Sequence, residues 1–67
     1  MDKEQKLDEL REERFQLQNS ISRYKLLMDN TPALAISRKL ECRRKIKEAM
    51  REIDRVQQEI EALKNEE

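Results

Sequence analysis

Sixty-seven residues, with 15 Lys and Arg balanced by 15 Asp and Glu, leave little apolar surface from which one short chain can build a core of its own. One Cys and no His exclude an internal disulfide framework and a zinc site, so a partner, either a second copy or another protein, is the expected way to finish the core. The longest apolar runs, Leu26 to Met28 and Ala33 to Ile36, fall far short of the roughly 20 residues of a membrane span, and a lone thiol at Cys42 fits a reducing compartment, so the expected setting is the cytoplasm with no membrane contact.

The first element is a helix over residues 2–29. Its apolar residues Leu7, Leu10, Leu17, Ile21, Tyr24 and Met28 follow a heptad template that Arg14 interrupts at an a position, and Asp2 with Gln5 has capping-box spacing. A turn over 29–32 follows. Asn30 tolerates the left-handed conformation that ends a helix, Thr31 suits the N-cap of the next one, and Pro32 suits its first position. The second helix is expected over 32–65. Ile46, Ala49, Ile53, Val56, Ile60 and Leu63 repeat at three and four, with Ile at successive a positions; extended backwards, the seam takes Cys42 and Ala35 at d and breaks at Lys39. One continuous helix kinked at Pro32 is the alternative to a hairpin.

The fold class that follows is all-α: a single antiparallel helical hairpin, coiled-coil-like, spanning residues 1–67 and expected to dimerise into a four-helix bundle. Its seam is Leu10, Leu17, Ile21, Ile46, Ile53, Val56, Ile60 and Leu63. A turn at 29–32 predicts Tyr24 beside Ala35 to Lys39, Leu17 beside Cys42 to Ile46 and Leu10 beside Ala49 to Ile53, with the end of the longer second helix projecting beyond the first. Two helices on one seam do not enclose a core. Phe15 and Leu26, eleven positions apart, share an outward face of the first helix, Leu34 and Leu40 point away from the seam, and Ile36 and Met50 widen the second stripe at e.

Charge is neutral in total and uneven in place. Residues 38–51 are net +5, residues 52–67 net −4 and residues 1–14 net −2. The basic run reads either as a solvated face paired in part with Glu9, Glu12 and Glu13 across the hairpin, or as an attractor of an acidic protein surface or of phosphates.

Catalytic chemistry lacks its parts. Without His or Gly there is neither a triad nor a phosphate-cradling loop, and Cys42 and Tyr24 sit on the seam, where core packing is the expected role for both. The chain is therefore expected not to be an enzyme, and to need no cofactor, metal or small-molecule substrate. In length, turn position and expected dimer it resembles the form of the small plasmid-encoded RNA-binding protein Rop. Lys3, Phe15, Gln18 and Lys25 match in type along the first helix but do not share one register with the seam. That resemblance implies a nucleic-acid-binding hairpin dimer as the alternative function. A purely structural assembly element is a further one.

The leading expectation is a small protein-binding regulator, inhibitor or adaptor that pairs with itself and with a protein of acidic surface. Its contact residues would be Phe15, Leu26 and Leu40 as apolar anchors with Arg23, Arg43, Arg44 and Lys47 as a basic rim, because interface energy concentrates where apolar anchors meet arginines.

Overall fold

The computed structural model describes residues 2–66. Among these the chain is two α-helices, α1 (Lys3–Asp29) and α2 (Ile36–Lys64), packed against each other as an antiparallel hairpin with no strand. The rod measures 53 × 14 × 14 Å. No described helix is long and apolar enough to cross a membrane.

α1 begins where the sequence places it. The Asp2 carboxylate accepts the Gln5 backbone N–H at 2.8 Å, which satisfies one of the free donors of the first turn. The expected turn is corrected in three respects. Asn30 is not left-handed (φ −91°, ψ 0°), and its N–H closes the last turn of α1 onto the Leu26 carbonyl. Thr31 finishes α1 rather than starting α2: its N–H donates to the Met28 carbonyl and its hydroxyl to the Leu27 carbonyl at 2.6 Å. Pro32 is not the first residue of a helix over 32–65, because α2 starts at Ile36. The Ala35 N–H instead closes a turn onto the Pro32 carbonyl at 3.0 Å, and Ala35 is an N-cap without a side-chain acceptor. A connection of six residues, Asn30 to Ala35, thus joins the helices where the turn at 29–32 implies a crossing of only two.

The longer connection shifts the register. Leu7 and Leu10 pack with Val56 and Ile60, joined at their edge by Leu17 and Leu63. Ile21, Ile46 and Ala49 form a second cluster with Leu17, Tyr24, Met28 and Ile53 around it. Leu10 thus lies about two turns farther along α2 than Ala49 to Ile53, the stretch a tighter turn predicts. The helix ends are level: Lys3 Nζ donates to the Glu66 carbonyl at 2.7 Å, so α2 does not overshoot.

The periodicity itself is reproduced position by position. Leu7, Leu10, Ile21, Cys42, Ile46, Ala49, Val56 and Ile60 are buried, and Leu17, Tyr24, Met28, Ile53 and Leu63 half-buried. Arg14 occupies its seam position by leaning out at the edge, where Nη1 donates to Gln57 Oε1 at 2.6 Å. A base is tolerated there because the position is only half-buried and its guanidinium is hydrogen-bonded; among the described residues no buried side-chain donor or acceptor lacks a partner.

Candidate protein-docking surface

The buried seam residues Leu10, Ile21, Ile46, Val56 and Ile60 pack within the hairpin, and Leu17, Ile53 and Leu63 are half-buried at the edges of the same clusters. What stays uncovered is concentrated elsewhere. Phe15, Leu26, Leu27, Leu34, Ile36, Leu40 and Met50 are exposed, and every one lies in residues 15–51, the part of the rod nearest the connection. Residues 2–14 and 52–66, the open end, expose no large apolar side chain.

The two parts also differ in charge. Residues 15–51 carry nine Lys and Arg against Asp29, Glu41 and Glu48, net +6, whereas the described residues of the open end are net −5. The acids of α1 do not neutralise the basic run, contrary to one reading of the sequence. In the observed register Glu13 meets Arg55 at 2.8 Å, and Glu12 accepts from Gln16 on its own helix. Arg55 also pairs with Glu52 and Glu59, both at 3.1 Å, and its side-chain hydrogen bond with Glu52 is the main reason its pKa is raised. Ion pairing therefore clamps the acidic end and leaves most of the basic part free among the described residues.

Within the basic part the helical repeat sorts the side chains onto two flanks. Ile36, Leu40, Arg43, Lys47 and Met50 follow one another at four and three, which makes a second stripe on α2 beside the buried one. Ile36 is 63% exposed and Leu40 57%. In an antiparallel pair the same flank of α1 carries Phe15, with Leu26 on the outward back; the Arg14–Gln57 bond fixes that matching of flanks. Phe15, Leu40, Arg43 and Lys47 are therefore brought to one side of the rod, with Leu26 at its border.

Arg23 and Arg44 are not part of that side. Arg44 points outward and is held by Glu41 and Glu48, one turn away on either side; the Glu41 hydrogen bond raises its pKa, and the same bond keeps the Glu41 carboxylate below its ordinary range. Arg23 belongs by the repeat to the opposite flank, and its nearest side-chain partner is the Ser20 hydroxyl at 3.4 Å. Ile36 and Met50, read from the sequence as widening the seam, belong to the exposed stripe. The signal was their spacing with Leu40, Arg43 and Lys47.

The opposite flank carries a groove of about 350 Å³ between the helices near the connection, with Tyr24, Leu27 and Cys42 along its apolar lining and Arg38 and Lys45 beside it. Cys42 is buried, consistent with a packing role. Among the described residues no three His, Cys, Asp or Glu side chains converge to hold a metal ion. Compared with known proteins, the chain matches no family model, no curated protein and no solved structure.

Proposed function

We propose that the hairpin is a small non-enzymatic protein-binding module, a regulator, inhibitor or adaptor, that docks a partner of acidic surface on its connection-proximal part. One observation carries the reading: the exposed large apolar residues and the excess positive charge occupy the same stretch, residues 15–51. The stripe of Ile36, Leu40 and Met50 supplies the area that leaves water, and Arg43 and Lys47 steer and orient the partner. A nucleic-acid ligand, the alternative, would use the bases alone and leave the apolar stripe exposed.

A dimer of hairpins forming a four-helix bundle is the competing occupant, and the heptad spacing of the second stripe favours it. Charge weighs against it. Joining two copies through their connection-proximal parts brings together two halves each net +6, and laying them antiparallel over their full length sets exposed leucines on an end without apolar side chains to meet them.

The test uses two double variants, Ile36→Ser with Leu40→Ser and Arg43→Glu with Lys47→Glu. A partner identified by affinity capture from the native host is then measured against each in purified form. Both variants are expected to stay helical and to lose roughly tenfold or more in affinity, with modest salt dependence for the wild type. Retention of RNA or DNA with a steep salt slope, or unchanged partner binding by both variants, would overturn the reading. Conversion of a wild-type dimer to monomer by the first variant would assign the stripe to self-association.

A further inference from the structure

The groove on the other flank asks for an occupant of its own. It lies between the last turns of α1 and the first turns of α2, and its lining joins the Tyr24 ring, the Leu27 side chain and Cys42. Leu27 is 55% exposed there, an apolar side chain the hairpin does not use. Arg38 and Lys45 stand beside the groove seven residues apart, hence about 10.5 Å along one helix face. Neither makes an ion pair among the described residues; Glu41, the acid beside them, is engaged by Arg44. Arg23 falls on the same flank by the helical repeat and adds a third base, from α1.

From this geometry we infer that the groove docks an acidic amphipathic helix of another protein, which lies along α1 and α2 and completes a three-helix bundle near the connection. An apolar residue of that helix would enter between Tyr24 and Leu27, and carboxylates about two turns apart would reach Arg38 and Lys45. Charge complementarity selects this occupant. The groove has an apolar floor, which a nucleic-acid backbone does not fill, and unpaired bases on both helices, which a basic or neutral helix does not satisfy. A second copy of this chain fits poorly, because its acidic end keeps its large apolar side chains inside. The site is distinct from the stripe of Ile36, Leu40 and Met50 and does not depend on that reading.

The probe is a displayed library of helical peptides with randomised faces, selected against the wild-type hairpin without bias in charge. Binders are expected to be enriched in Asp and Glu bracketing one or two large apolar residues. Arg38→Glu with Lys45→Glu should weaken them by roughly tenfold or more, Leu27→Ser should weaken them at unchanged helicity, and Arg43→Glu with Lys47→Glu on the other flank should leave them unaffected. A selected pool without acidic enrichment, binders indifferent to the Arg38 and Lys45 reversal, or displacement of the peptides by single-stranded RNA would overturn the inference. Loss of binding to the stripe variants alone would move the selected peptides to the other flank and equally overturn it.

Discussion

The open end and the connection-proximal part of this hairpin are built from the same heptad repeat and reach opposite outcomes. At the open end Val56 is 0% and Ile60 1% exposed, closed over by Leu7 and Leu10, with Arg55 gripping three glutamates outside. Near the connection Lys39 breaks the seam, α2 starts without a side-chain capping bond, Leu34 is 93% exposed, and bases outnumber acids three to one. Each part buries four apolar residues, Leu7, Leu10, Val56 and Ile60 at the open end and Ile21, Cys42, Ile46 and Ala49 near the connection, so the difference lies in what is left outside. The open end leaves no large apolar side chain exposed among the described residues, whereas the connection-proximal part leaves seven.

The largest effect should come from carrying the character of one end into the other. Val56→Asp puts a carboxylate where no solvent reaches, and breaking so small a core at its fully buried point is expected to cost about 3–5 kcal/mol and unfold the chain, seen as loss of helical circular dichroism. Leu40→Asp, the matching change on the exposed stripe, should shift stability by no more than about 0.5 kcal/mol. Equal melting temperatures for these two variants would erase the comparison.

A second test repairs the weak end. Ala35 is the N-cap of α2 and offers no acceptor, so Ala35→Ser should stabilise the hairpin by about 1 kcal/mol, read from urea denaturation. Asp2→Ala at the capped start of α1 should cost about as much. If both changes are silent, the helix starts are not where the two ends differ.

The smallest effect is electrostatic. The Glu41 carboxylate is held below its ordinary pKa by the Arg44 hydrogen bond, so its contribution is fully present above the unfolded-state pKa and lost as the pH falls through the depressed folded one. Glu41→Gln should therefore flatten the acid limb of the stability profile slightly and leave neutral pH nearly unchanged, because the pair is exposed and screened. A clear loss of stability at neutral pH would show that the pair matters more than a solvated surface bridge.

Much of this was legible along the chain. The three-and-four repeat named the buried residues of both helices, including Arg14 and Lys39 as the interruptions, because in a helix the spacing of apolar side chains alone decides which face can leave water. Asp2 gave the start of α1, since a cap is a local bond over three residues. The stripe of Ile36, Leu40, Arg43, Lys47 and Met50 is visible in the same way once a second repeat is sought beside the first.

The connection is ambiguous in the sequence because Thr31 and Pro32 suit both a helix start and a helix exit, and only the bonds of the folded chain, Thr31 turning back onto Leu27 and Met28, decide between them. Once Thr31 closes α1 and α2 begins at Ile36, Leu10 moves to Val56 and Ile60 and Glu13 to Arg55. Sequence by itself determined which side chains each helix must hide, a property of one helix at a time. Tertiary structure alone decided which pairs meet, which acids and bases cancel, and where a groove opens, because register depends on how the chain crosses from one axis to the other.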